Sequence, residues 1–273
     1  MEQKLIFLDI DGTFTKAGEN VPPESAAQAV RQARANGHKV FICTGRNEKM
    51  AMPVINLGFD GYIVSAGGYV VCDEVLFDAP MSDAQRNKIV DVLRMNGIYM
   101  TVETKDGSYT DEGFKQALKS HGGQGNSELL RWREQIESEL DIRPMSEYDG
   151  SPVYKVIMMA FDMEQVLRAK ALLEDEFQVI IQGESGGVVN GEIISKEFDK
   201  GKGVKTVCEH LGADIKDTIA YGDSMNDLEM LETAGISICM ENGNEQLKQI
   251  VDEVCGSVEQ NGIYESFQRH GLI

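Results

Sequence analysis

The chain has 273 residues, of which 42% are hydrophobic and 26% charged, enough for one large globular domain or two modest ones. Its 45 acidic against 26 basic residues give a formal charge of −19, and a surface so negative speaks against nucleic acid or anionic membrane as a partner. No segment approaches the about 20 apolar residues of a membrane span, and the opening run lacks the cationic flank of a signal peptide, so a cytoplasmic protein is expected.

The first element is "KLIFL" at residues 4–8, a continuous apolar run of the kind that forms a strand buried on both faces of a parallel sheet. An Ala-rich helix is predicted over 23–38, with Pro23 near its start and Gly37 as its stop. "KVFICTGR" (39–46) reads as a second buried strand, "NEKMAMPVINLG" (47–58) as a short helix and "DGYIVSAGGYVV" (60–71) as a third strand. This alternation is the rhythm of a doubly wound α/β sheet.

After Pro80 the rhythm changes. Ser82 and Gln85 form a capping box that opens a helix, and "IYMTVETKDGSYTD" (98–111) alternates around an Asp106–Gly107 turn, which predicts an antiparallel hairpin. A polar stretch follows, with "SELLRWREQIESEL" (127–140) in helical pattern. Next come a strand at 152–161, a helix at 162–177 and a Gly-broken hairpin at 178–194. The expected organisation is a core in two segments, 1–81 and 191–273, with an α+β unit inserted at 82–190. In the second core segment, helices are predicted at 201–212, 224–235 and 244–256, and strands at 217–223 and 236–240.

Three of the predicted core strands end in polar residues: "FLDIDGT", "FICTGR" and "IAYGDSMND". In open α/β sheets the ligand crevice lies outside the carboxyl ends of the strands. If these strands are neighbours, that crevice collects Asp9, Asp11, Thr44, Asp223 and Asp227. So many carboxylates repel one another unless a cation sits among them, and an all-oxygen donor set suits Mg²⁺. A phosphoryl group on such an ion needs an in-line nucleophile, a proton donor and fixed positive charge. Asp9, ending its strand, is the candidate nucleophile, and Asp11 the candidate acid and base. Thr44, Gly45, Lys200 and Asn226 are candidate phosphate contacts.

The pieces "DIDGT", "TGR", "DKGKGV" and "GDSMND" resemble, in order and spacing, the four motifs of the haloacid dehalogenase superfamily. The insertion resembles a class II cap, and the pattern is most similar to the Cof-type (class IIB cap) sugar-phosphate phosphatases. The resemblance implies a Mg²⁺-dependent phosphatase acting through an aspartyl-phosphate on Asp9, with Asp11 as acid and base. It implies the Asp9 carboxylate, the Asp11 backbone carbonyl and the Asp223 carboxylate as metal ligands. It further implies phosphate contacts from Ile10, Thr44, Gly45, Lys200 and Asn226, with Asp227 one layer further out, holding a metal-bound water or Lys200. The expected partner is a small phosphorylated metabolite; sequence does not fix the oligomeric state. Two loops depart from the family pattern, Ala66-Gly67-Gly68 and Met240-Glu241-Asn242-Gly243.

Competing readings are weaker. An EF-hand wants Gly at loop position six, not directly after Asp11. The glycine-rich "DKGKGVKT" lacks the P-loop spacing, so Lys202 reads as a solvated first-turn residue. "RHG" at 269–271 lies at the C-terminus with no strand before it. The five cysteines are scattered without a C-x-x-C and read as free thiols of a reducing compartment, and the four dispersed histidines show no metal site. Arg46 either steers substrate or anchors its loop to an acidic neighbour. A phosphomutase or a non-catalytic ligand sensor on the same fold are the functional alternatives.

Overall fold

The structure is a computed structural model that describes residues 2–114, 116, 142–185 and 187–273. Its elements run in chain order as β1 (Leu5–Leu8), α1 (Glu24–Ala35), β2 (Lys39–Cys43), α2 (Glu48–Ile55), β3 (Gly61–Val64), β4 (Tyr69–Val71) and β5 (Val75–Asp78). Then come α3 (Asp83–Met95), β6 (Tyr99–Thr104), β7 (Gly107–Thr110), β8 (Ile142–Pro144), β9 (Val153–Ala160), α4 (Met163–Leu173), β10 (Phe177–Ser185) and β11 (Val188–Ser195). The chain closes with α5 (Lys200–Leu211), β12 (Thr218–Gly222), α6 (Leu228–Thr233), β13 (Ile236–Met240), α7 (Glu245–Lys248), β14 (Glu253–Cys255) and α8 (Gly262–Arg269).

Two compact units result. The first comprises Met1–Arg46, Ala51–Asp78 and Asp199–Ile273; the second comprises Ala79–Phe198 with Asn47–Met50. In the first unit an eight-stranded sheet has the order β14-β13-β12-β1-β2-β3-β4-β5. It is parallel from β14 to β3, with β4 and β5 added antiparallel at one edge. Burial on both faces explains the unbroken apolar runs. Leu5, Phe7, Phe41, Cys43 and Ile63 pack with Val204, Val207 and Cys208 of α5 and Met230 and Leu231 of α6. The rings of Phe7 and Phe41 stack at 5.2 Å. On the opposite face Tyr221 meets Phe267 of α8, and its hydroxyl lies 3.0 Å from Ser266 Oγ. Burying these side chains supplies the main driving force for the sheet, about 1.5–3 kcal/mol for each large apolar residue.

The second unit is a six-stranded sheet in the order β10-β11-β9-β6-β7-β8, antiparallel except for the β7–β8 pair. Helices α3 and α4 cover one face: Ile89, Val92 and Leu93 of α3 and Val166, Ala169 and Leu173 of α4 pack on Met100, Val102, Val156 and Met158. The capping box forms, with the Ser82 hydroxyl accepting from Gln85 N–H while the Gln85 side chain accepts from Ser82 N–H. Among the described residues no helix is long and apolar enough to cross a membrane.

The structure corrects several sequence readings. Residue 190 falls inside β11, which pairs with β9, so the second unit runs on to Phe198. The single strand expected over 60–71 is a hairpin: Ser65 and Ala66 take φ of 52° and 58°, and this left-handed pair reverses the chain. The β6–β7 turn is Lys105–Asp106, with Gly107 already paired to Thr104. Over 224–235 a 3-10 turn, Met225–Asp227, precedes the short α6. The helix expected at 244–256 is a single turn followed by β14, because Asp252 accepts from the backbone and hydroxyl of Ser237 and draws the chain onto the sheet edge. Helix α8 was not anticipated; Ile263 and Phe267, one turn apart, form its buried stripe. The helix predicted at 127–140 lies outside the described residues.

Candidate active site

The site is built at the carboxyl ends of β1, β2 and β12, which are adjacent in the sheet. Asp9 follows β1, Thr44 follows β2, and Asp223 follows β12. Asp9, Asp11, Thr44, Lys200, Asp223, Asn226 and Asp227 are all buried. Gly12 takes φ of +82°, a left-handed conformation in which glycine carries no steric penalty. A Cβ there would lie 2.4 Å from Asp223 Oδ2, so the bare backbone lets the first loop approach the third.

Lys200 enters from the first turn of α5. Asp199 caps that helix by accepting from Lys202 N–H at 2.7 Å, and a Cβ on Gly201 would stand 2.3 Å from Glu229 O, so glycine is needed for α5 to close onto α6. The Lys200 ammonium, 1% exposed, donates to Asp9 Oδ1 at 2.8 Å and to Asp227 Oδ1 at 2.6 Å. Asp227 Oδ2 in turn accepts from the backbone N–H groups of Asp223 and Ser224, both at 3.0 Å. Asp227 thus fixes the turn that carries Asp223 and pins the lysine. Burial opposes charge on Lys200, but Asp227 and Asp9 more than offset it and hold the ammonium above the ordinary lysine range. Burial pushes the Asp9 carboxyl well above the carboxylate range; Lys200 pulls it down, while Asp227 and Asp11 push it up.

Asp9, Asp223 and Asp227 bring carboxylate oxygens within 4.8 Å of one another, all buried. Asp9 and Asp227 share one ammonium, and both Asp227 oxygens already accept hydrogen bonds, so Asp9 and Asp223 are the pair suited to a hard oxygen-seeking ion. The residues fit such an ion.

The Asp11 carboxylate does not join that cluster. Arg46 grips it through Nε to Oδ2 at 2.8 Å and Nη2 to Oδ1 at 2.7 Å, and Gly18 N–H adds a bond to Oδ1 at 2.8 Å. Of the two readings of Arg46, the geometry favours the anchor. Thr44 Oγ1 accepts from Arg46 N–H at 3.2 Å, and Ser224 Oγ donates to Asn226 Oδ1 at 2.6 Å, fixing the orientation of that amide. Gly45 and Ile10 are buried; the Ile10 carbonyl closes the loop by accepting from Phe14 N–H at 3.0 Å and Thr15 N–H at 2.8 Å. Lys202 is half-exposed and pairs with Asp199 at 3.5 Å. Cys43 is core, and burial pushes its thiol pKa up.

Two features escaped the sequence reading. Asn242, in one of the two loops that depart from the family pattern, donates to Gly12 O at 2.8 Å and accepts from Val258 N–H at 3.2 Å, bracing the Asp11 loop from 230 residues away. His210, Asp73 and Cys72 also converge, with His210 Nε2 at 2.6 Å from Asp73 Oδ1 on the exposed surface. Dispersed spacing in sequence conceals both.

A family model described as haloacid dehalogenase-like hydrolase matches residues 6–267. The chain is 29% identical to the 5-amino-6-(5-phospho-D-ribitylamino)uracil phosphatase YwtE of Bacillus subtilis over 95% of each chain. It is 26% identical to phosphatase YwpJ of the same organism, over 95% of this chain and 97% of the relative. The fold is shared with a haloalkanoate-superfamily phosphatase from Bacteroides thetaiotaomicron (TM-score 0.81, 19% identity, 99% and 96% coverage). It is shared also with a subclass IIB sugar phosphatase (TM-score 0.80, 22% identity, 99% and 100% coverage). The chain therefore belongs to the haloacid dehalogenase-like hydrolases and is a phosphoric monoester hydrolase.

Proposed function

We propose that the enzyme hydrolyses a small phosphomonoester, a sugar phosphate or related phosphometabolite, through an aspartyl-phosphate on Asp9 with Mg²⁺ as cofactor. The observation that carries this reading is the buried Asp9–Lys200–Asp227 chain with Asp223 beside it. The relatives' names, one for a phosphorylated ribitylamino-uracil and one for a sugar phosphatase, support the substrate class.

In this mechanism an Asp9 carboxylate oxygen attacks phosphorus and the ester P–O bond breaks. Asp11 gives its proton to the departing oxygen. Water then attacks the aspartyl-phosphate, Asp11 takes the proton back, and inorganic phosphate leaves with Asp9 restored. Lys200 holds Asp9 in place and supplies positive charge to the transferring group. The Thr44 hydroxyl, the backbone N–H groups near Ile10 and Gly45, and the Asn226 amide orient the phosphate oxygens. Mg²⁺, held by the carboxylates of Asp9 and Asp223 and the Asp11 backbone carbonyl, would neutralise charge on the phosphoryl oxygens.

The test is phosphate release from p-nitrophenyl phosphate and a panel of sugar phosphates, by wild type and Asp9→Asn, with Mg²⁺ or with EDTA. Release that requires the ion and vanishes in the variant is expected. Undiminished release by Asp9→Asn, or in EDTA, would overturn the scheme. Transfer of the phosphoryl group to a second sugar instead of water would establish a mutase.

A further inference from the structure

The structure assigns Arg46 as the positioning residue of the Asp11 carboxylate, an assignment that rests on Asp11 being the acid and base of the proposed reaction. Asp11 stands one residue from Asp9, and both are buried. A carboxylate released into that neighbourhood would add a further negative charge beside Asp9, Asp223 and Asp227. Arg46 offsets this charge with a buried guanidinium on Asp11. Lys200 thus serves Asp9 and Asp227, and Arg46 serves Asp11.

The contact is more than a charge pair. Arg46 is 1% exposed and engages through three nitrogens: Nε and Nη2 on the two oxygens of Asp11, Nη2 also on Glu19 O at 2.9 Å, and Nη1 on Asn20 Oδ1 at 2.6 Å. The planar fork fixes both carboxylate oxygens at once, which a point charge does not do. The backbone of Arg46 is itself held, its N–H by Thr44 Oγ1 at 3.2 Å and its carbonyl by Ser65 N–H at 2.7 Å. That second contact belongs to the left-handed turn after β3, so three strand ends converge to place one arginine. A side chain anchored at both ends and bonded to both oxygens of one carboxylate determines where that carboxylate is available. These bonds reach neither Asp9 nor Asp223 and meet Asp11 at its carboxylate rather than its backbone carbonyl, so Arg46 acts through the Asp11 side chain.

A proton donor matters unequally for different esters. An alkoxide needs a proton as it departs, whereas p-nitrophenolate leaves as a stable anion. Because kcat/KM reports the first phosphoryl transfer, its ratio between an alkyl ester and p-nitrophenyl phosphate measures delivery of the Asp11 proton. The experiment compares wild type, Asp11→Asn, Arg46→Gln, Arg46→Lys and the double variant Asp11→Asn/Arg46→Gln, using p-nitrophenyl phosphate and the sugar phosphate that wild type turns over fastest. General acid catalysis contributes about 10²–10⁴-fold, so Arg46→Gln is expected to lower kcat/KM for the sugar phosphate by at least about 30-fold and for the aryl ester by less than about 5-fold. Arg46→Lys should recover only part of the ratio, because it keeps the charge and loses the fork. In the Asp11→Asn background the same change should leave the ratio where Asp11→Asn puts it. Equal losses on both esters, full recovery by Arg46→Lys, or a further shift of the ratio in the double variant would overturn the assignment. Should Arg46→Gln fail to fold, the ratio in Arg46→Lys alone decides: an unchanged ratio overturns the assignment. An Asp11→Asn enzyme with an unchanged ratio would remove Asp11 as the acid, a failure distinct from that of Arg46 because it appears with Arg46 intact.

Discussion

Among the described residues each unit of the molecule buries a lysine between two carboxylates, and the two arrangements differ in how the carboxylates are held. In the first unit Lys200 donates short hydrogen bonds to Asp9 and Asp227, and Asp227 has two backbone N–H partners besides. In the second unit Lys155 of β9 lies 3.1 Å from both Glu103 of β6 and Glu192 of β11, all three fully or almost fully buried. Glu103 is the cross-strand partner of Lys155 and Glu192 lies diagonally across, yet neither carboxylate accepts a hydrogen bond among the described residues. The difference comes from position along the strand. Past the end of a strand, backbone N–H groups are released from the ladder and can turn toward a carboxylate. In mid-strand they are consumed by the neighbouring strands, and only another side chain can compensate the charge. Strand ends are therefore where a buried carboxylate can be both held and kept reactive.

The largest effect should separate the two lysines by activity. Lys200→Met removes fixed positive charge from the proposed reaction centre and is expected to lower kcat/KM on p-nitrophenyl phosphate by about 10²–10³-fold, the scale of losing one preorganised electrostatic contact. Lys155→Met, assayed where it remains folded, should stay within about threefold of wild type if the mid-strand group serves structure alone. A comparable loss in both would show that the second-unit triad takes part in turnover.

Stability should reverse the ranking of interest. Lys155→Met leaves two buried carboxylates without a counter-charge, which costs about 3–5 kcal/mol in such settings. Replacing the whole group, as Glu103→Gln/Lys155→Met/Glu192→Gln, should bring urea stability back to within about 1 kcal/mol of wild type or above it, since a removed ion group no longer carries its desolvation cost. A triple variant as unstable as the single one would mean that the triad contributes more than mutual compensation.

The cation supplies a third contrast. If Asp9 and Asp223 hold Mg²⁺, ion at 100 times its dissociation constant adds about 2.7 kcal/mol to the stability of the unit that binds it. Thermal unfolding of wild type should shift upward with Mg²⁺, and Asp223→Asn should abolish the shift. A shift that survives Asp223→Asn places the ion elsewhere.

How much of this could be read beforehand follows from the same physics. The parallel strands were legible because burial on both faces demands unbroken apolar runs such as Leu5–Leu8 and Lys39–Cys43. The carboxylates of Asp9, Asp223 and Asp227 were legible because they stand at the ends of such runs, where the topology gathers them. The hand of Arg46 on Asp11 depended on a side-chain conformation that spacing does not encode. Asn242 bonds a residue 230 positions away through a loop whose composition says only that it turns. Lys155 drew no notice in a strand otherwise apolar, since its partners become visible only once the register of β6, β9 and β11 is known. The hairpin after β3 needed the positive φ of Ser65 and Ala66, which neither residue type advertises.

The smallest expected effect concerns a buried titratable group in the first unit. His38 is buried in the first unit, its Nδ1 accepting from Lys4 N–H at 3.0 Å, while Nε2 has no hydrogen-bond partner among the described residues. Burial lowers its pKa below the ordinary 6.5, and the positive charge of Lys4 lowers it further. In the unfolded chain the imidazole takes up a proton near 6.5; in the folded chain it does so only at lower pH. The unfolded state therefore binds the proton first, and stability is lost as pH falls from about 6.5 toward the folded value, with no contribution above that window. Exchanging His38 for Gln, which keeps an acceptor for Lys4 N–H without a titrating group, should flatten the urea stability profile between pH 7 and 5.5 relative to wild type. An identical pH slope in both proteins would show that the imidazole finds compensation on protonation.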